Sequence, residues 1–164
     1  MSKEIDIEYY HQLALQKQKE HRKVLSNLKK KPPKNLDKIA QQIHQEVFAE
    51  IDCTACANCC KTLGPDFKEA DITRIAKYFK MKLPAFEAEF LQVDEDGDKV
   101  FKSMPCPFLG GDNLCSIYDV RPKACREFPH TDRKKIYQIN HLTIKNTLPC
   151  PAAYLFVEKL KDKL

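Results

Sequence analysis

The chain has no Trp and only four Gly in 164 residues. The glycines stand at positions 64, 97, 110 and 111, so no Gly-x-Gly phosphate or nucleotide loop can be built from them. No apolar run approaches the roughly 20 residues of a membrane span. The opening MSKEIDIEYY carries acids and no apolar stretch, unlike a secretory leader. No Ser-His-Asp order and no paired-carboxylate pattern stands out. These absences argue against a nucleotide-binding enzyme, a membrane protein and an exported one. The expected setting is the cytoplasm, where stable disulfides are rare.

Cysteine is in excess. Eight thiols stand as Cys53, Cys56, Cys59 and Cys60, then Cys106, Cys115 and Cys125, then Cys150. Clustered cysteines in a reducing compartment point to metal or redox chemistry. Buried thiols without a ligand explain one or two such positions, not all eight.

The first group decides little about which metal. On a helix, successive side chains turn by about 100°, so Cys53, Cys56 and Cys60 share a face that Cys59 leaves. In an extended segment, Cys59 and Cys60 point opposite ways. Adjacent cysteines do not easily serve one tetrahedral zinc. The doublet therefore implies two sites, or a bulky cluster approached from a loop. Structural zinc takes four Cys or His ligands, and the GGDN turn at 110–113 resembles that of a zinc ribbon. Cys53-x2-Cys56-x2-Cys59 also matches the first three ligands of a bacterial ferredoxin run, whose fourth precedes Pro. Here that proline follows Cys106 and Cys150. Arg121, Lys123 and Arg126 flank Cys125 and could balance thiolate charge. Among the histidines, His130 is the best candidate ligand; His11, His21 and His44 read as solvent-facing. VDEDGDKVF at 93–101 is not a calcium loop, because Gly97 comes too early and the twelfth residue is Pro105. It reads instead as a turn between short strands.

Apolar periodicity supplies the frame. Residues 5–30 form a weakly amphipathic helix, partly exposed or meeting a protein partner. KKKPPKN ends it. Leu36, Ile39, Ala40, Ile43, Val47 and Ile51 make a core-facing helical stripe that runs into Cys53, with Asn35 as its cap. A third helix is expected from Asp66, capped by Asp66 with Glu69. Another follows Pro84, and AAYLFVEKLKDKL forms the last. Residues 1–38 hold ten Lys/Arg against five Asp/Glu, which accounts for the whole net charge of +5. The predicted layout is a basic helical extension at 1–34 and a cysteine-cluster domain at 35–164. The predicted fold is mainly α, with irregular cysteine-bearing loops and a short β-hairpin, a single domain stapled by metal.

Taken together, CTACANCC at 53–60, DITRIA at 71–76, CPFLGGDNLCSIYDVRPKACREFP at 106–129 and LPCPA at 148–152 resemble the YkgJ-type cysteine-cluster family, a zinc- or iron-chelating domain. The resemblance implies that Cys53, Cys56, Cys59, Cys60, Cys106, Cys115, Cys125 and Cys150 are the metal ligands, holding zinc or iron, the latter including a [4Fe-4S] cluster. It implies a metal-binding protein with a structural, redox or metal-handling role. Flagellin lysine methylase looks like a larger relative, which leaves open a cluster-dependent modifying enzyme. The basic N-terminus leaves open a zinc-ribbon-like module contacting protein or, less favoured, nucleic acid. Beside these motifs, Tyr118 is expected to pack with its hydroxyl bonded, Pro122 to fix a turn or start a helix, and Arg121 and Arg126 to serve structure.

Overall fold

A computed structural model describes residues 4–164; the first three residues of the basic extension lie outside the described residues. The elements run α1 (Ile7–Lys30), α2 (Leu36–Glu50), α3 (Cys53–Cys56), α4 (Asn58–Thr62), β1 (Asp66–Phe67), α5 (Glu69–Tyr78) and α6 (Leu83–Phe90). Then come β2 (Leu91–Val93), β3 (Lys99–Phe101), α7 (Lys123–Glu127), α8 (Asn140–Asn146) and α9 (Pro151–Lys163). Single 3-10 turns occupy Tyr118–Val120 and Ile136–Ile139. The fold is mainly helical with one small sheet, as the periodicity indicated. Among the described residues no helix is long and apolar enough to cross a membrane.

The chain forms two compact units. The first comprises residues 1–56 and 129–164. Its core is the predicted stripe of α2, with Ala40, Ile43 and Val47 buried, closed by Phe156, Val157 and Leu160 of α9. Helix α1 also packs against α8 and α9. It is not merely a solvated arm: Leu25 and Leu28 enter the same core. Asp6 starts this helix, its carboxylate accepting from the Tyr9 N–H at 2.9 Å. Asp6→Ala should cost about 1 kcal/mol, read as a lower denaturation midpoint with an unchanged slope.

The second unit comprises residues 57–128. Its antiparallel sheet has the order β1-β3-β2. Leu91 pairs with Phe101 and Val93 with Lys99, so the acidic turn closes the expected hairpin. The third strand is new. Asp66–Phe67 pairs with Val100 and Lys99 instead of starting a helix. Helix α5 begins at Glu69, and its cap comes from Asp71, whose carboxylate accepts the Lys68 N–H at 3.0 Å. Strand pairing wins because it seats Phe67 in the core, 4.8 Å from Phe101 between ring centroids. Phe86, Phe101 and Phe108 fill the centre of this unit, with Phe79 and Phe90 against them. Phenylalanine does here what a tryptophan would do elsewhere, since several rings can meet edge-on or offset.

Candidate metal centre

In the first unit, Cys53 and Cys56 sit on α3, one turn of helix directly after α2. Asp52 opens that turn, accepting from the Thr54 hydroxyl at 2.6 Å and the Thr54 N–H at 2.9 Å. The Thr54 hydroxyl, with help from its N–H, holds the Asp52 carboxyl below its usual range. Cys150 is the N-cap of α9, its sulfur accepting from the Ala153 N–H at 3.4 Å. Burial pushes the Cys150 thiol up to about 12, and the neighbouring Cys53 and Cys56 add to the push. Pro151 takes the first helical position, where no donor is needed.

In the second unit, Cys59 and Cys60 lie on α4. The chain enters this helix through Ala57, which adopts the left-handed region (φ 49°). A hydrogen bond with Cys59 lowers Cys60 to about 7. The Cys106 N–H donates to the Cys60 carbonyl at 2.8 Å, tying α4 to the next cysteine segment. Between Cys106 and Cys115 the chain makes a knuckle. Leu109 bridges Cys115, the Gly110 N–H donates to the Leu114 carbonyl at 2.9 Å, and the Ser116 N–H to the Phe108 carbonyl at 2.8 Å. Gly110 suits the turn because a β-carbon there would lie 2.6 Å from the Asp112 carboxylate. Phe108 and Ile117 anchor the knuckle in the core.

Cys125 rides on α7, a helix of five residues. Its position is set by a buried pair in α5. Asp71, 2 % exposed, accepts from the Arg74 guanidinium at 2.8 Å and from the Lys123 N–H at 3.1 Å. Arg74 in turn donates to the carbonyls of Val120 at 3.3 Å and Arg121 at 2.9 Å. The run into α7 is thus held by two side chains that the cysteine pattern did not single out. The available signal was the acid in DITRIA: Asp71 directly precedes the buried Ile72 and has a cation at i+3.

Burial pushes Cys106 up to about 11, with Cys60 and Cys115 adding to the effect. Cys115 is raised by burial and by Cys60. Surrounding protein pushes Cys125 up to about 12, reinforced by Cys60, Cys106 and Cys115, although the residue keeps contact with solvent. The cause is common to all. A thiolate among other thiolates, half out of water, needs a cation, and without one it keeps its proton.

All eight cysteines are thiols in this structure. Among the described residues, no three Cys, His, Asp or Glu side chains already stand as a cage for an ion. What the fold supplies is neighbourhood and chemistry: soft sulfur donors on tied segments, the donor type that zinc and iron–sulfur centres use.

Other expectations change. His21 is fully buried, with Nε2 2.7 Å from a Glu158 carboxylate oxygen. His44 bonds the Thr131 hydroxyl at 2.8 Å, and His11 the Leu148 carbonyl at 3.1 Å. All three were expected in solvent; helix packing in the first unit covers His21 and engages the other two. Tyr118 is exposed, and its ring carries the Arg121 guanidinium 3.8 Å from the centroid. Pro122 does precede a helix, as the N-cap of α7. His130 lies in the first unit with a left-handed backbone (φ 64°).

Comparison with known proteins supplies one match. A family model named CxxCxxCC, "Putative zinc- or iron-chelating domain", matches residues 52–147. Seven of the cysteines fall inside that stretch, and Cys150 lies just beyond it. No curated protein and no solved structure matches.

Proposed function

Since the chain belongs to the CxxCxxCC family of zinc- or iron-chelating domains, we propose that it coordinates zinc or an iron–sulfur cluster through its eight cysteines, in a structural, redox or metal-handling role. The observation that carries this reading is the tying of cysteine segments to one another by backbone bonds: the Cys106 N–H donates to the Cys60 carbonyl at 2.8 Å, and Leu109 bridges Cys115. Packing alone gives no reason to crowd thiols whose charges oppose one another. A bound cation supplies the reason, because it replaces their protons and satisfies the anionic sulfur. Arg121, beside Cys115 and Cys125, eases their ionisation and offsets the excess negative charge. In this reading residues 35–164 carry the metal chemistry, and residues 1–34 supply α1. A cytoplasmic setting goes with it, because ligation requires reduced thiols.

Elemental analysis and visible absorption of anaerobically purified protein test the proposal together. Bound zinc in colourless protein, or iron with labile sulfide in brown protein, is the expected result. Protein that takes up neither metal after reduction and reconstitution would sink it.

A further inference from the structure

We propose that the groove between α1 and the corner made by the 3-10 turn Ile136–Ile139 and α8 binds the phosphodiester backbone of a nucleic-acid single strand. The groove lies within the first unit, and the proposal does not depend on the metal-binding reading.

Along the chain, the whole positive excess sits in residues 1–38. The fold sets a second basic stretch against it. Residues 21–36 hold six Lys or Arg and no Asp or Glu. Residues 133–157 hold four Lys or Arg and again no acid. The two stretches meet, because α1 packs on both the 3-10 turn and α8. Asn140 fastens them, its Nδ2 donating to the Leu25 carbonyl at 2.8 Å. The Lys135 N–H donates to the Asp37 carboxylate at 2.7 Å, which holds the basic run 133–135 at the start of α2. Asp37 and Asp132 are the acids that border the two stretches in the chain.

The rest of the same unit shows what an ordinary solvated face looks like. On α9, Lys159 pairs with Glu50 at 3.1 Å, Lys161 with Glu20 at 3.0 Å and Glu158 at 2.9 Å, and Lys163 with Glu46 at 3.3 Å. Among the described residues, no Lys or Arg of the two basic stretches is paired with a carboxylate. Cations gathered without acids repel one another, and a polyanion relieves that repulsion.

The groove has a volume of about 500 Å3. Arg22, Ser26 and Lys29 line it at spacings of four and three, so they share one face of α1. Tyr137, Gln138 and His141 line it from the turn and α8. From Arg22 to Lys29 the α1 wall rises roughly 10 Å, the length of about three phosphates of a stacked strand. Cations set among hydroxyl and amide side chains are the residue types that hold phosphate and sugar. Two other anionic partners fit this lining less well. An acidic protein segment would need an apolar anchor at the centre of its footprint, and an anionic membrane needs apolar side chains to insert. Among the described residues, no large exposed apolar side chain lines the groove, and its Leu25 and Ile144 are buried.

The test measures fluorescence anisotropy of labelled oligo(U) and oligo(dT) with the full-length chain over a salt series. Both strands should bind, and affinity should fall as salt rises, because the contacts are to phosphate. The double variant Arg22→Ala, Lys29→Ala removes two such contacts. The slope of log affinity against log salt should then drop by about 1.4, and affinity at 0.1 M salt by roughly 10- to 30-fold. Lys159→Ala, Lys163→Ala removes the same charge from α9 and should leave affinity and slope unchanged. All four positions reach solvent, so neither variant threatens the fold. Equal weakening by the two variants would reveal attraction by net charge alone and overturn the proposal. So would binding of neither strand at 0.05 M salt, or binding only of a polyglutamate peptide or of phosphatidylserine vesicles. Metal uptake, measured separately, decides the metal-binding reading whichever result is found.

Discussion

Chelating the metal from the intact protein should unfold residues 102–128 and leave α1, α2 and α9 folded. The segment has little else to order it. It contains one bridge, one 3-10 turn and the five-residue α7. A helix of that length does not persist in water by itself, because nucleation costs more than a few propagation steps return. Phe108 and Ile117 are its large buried apolar anchors. A structural zinc contributes on the order of 10 kcal/mol to the folding of the segment that binds it. Without it, the knuckle is tethered mainly by Phe108 and Ile117. The first unit differs in kind, because α1, α2, α8 and α9 bury a shared core that contains many apolar residues besides Cys150. Hydrogen exchange should therefore rise steeply across 102–128 on chelation, and trypsin should begin to cut after Lys123 and Arg126. Equal protection of this segment with and without metal would show that the cysteines do not organise it.

The sequence carried the frame of this protein better than its details, and the reason is distance along the chain. The α2 stripe, the Pro84 helix start and the hairpin over 93–101 are local patterns, and each was readable from a window of a dozen residues. Asp66 was misread because its carboxylate and Glu69 mimic a helix start, while the strand that claims it, Lys99–Phe101, lies more than thirty residues away. His21 was misread for the same reason. It looks polar within QKQKEHRK, but its partner Glu158 is 137 positions further on. The cysteine list was legible as a list. Its placement in the fold was not, because the boundary between the units falls between Cys56 and Ala57, inside a motif that spacing alone presents as continuous. Asp71 and Arg74 were passed over as ordinary polar residues of a helix. Their importance lies in the backbone groups of residues 120–123 that they hold, and nothing near them in the chain announces it.

Replacing Asp71 with Ala should destabilise the protein by about 3 kcal/mol, at the lower end of what breaking a buried ion pair costs. The substitution removes the acceptor for three donors at once: the Lys68 N–H, the Arg74 guanidinium and the Lys123 N–H. The arginine is then left partly buried without its counter-charge. Asp71→Asn keeps an acceptor and loses the charge, so its cost should be smaller. The two variants should also separate in their response to acid. Burial works against ionisation of Asp71, but the bonds from Lys68, Arg74 and Lys123 outweigh it and hold the carboxyl below its usual 3.8. A carboxyl whose folded pKa lies below its unfolded one stabilises the fold fully above the unfolded value. That contribution fades as pH falls from there through the folded value, because the unfolded chain takes up the proton first. Wild-type stability should thus fall along an acid limb that is flatter in Asp71→Asn, read from denaturation midpoints at a series of pH values. Because the same carboxylate fixes the start of α7, which carries the proposed ligand Cys125, both variants should release bound metal at a lower chelator concentration than the wild type. Unchanged midpoints in Asp71→Ala, with unchanged metal retention, would mean that Arg74 and the 120–123 run are held by other contacts and that Asp71 is not what positions Cys125.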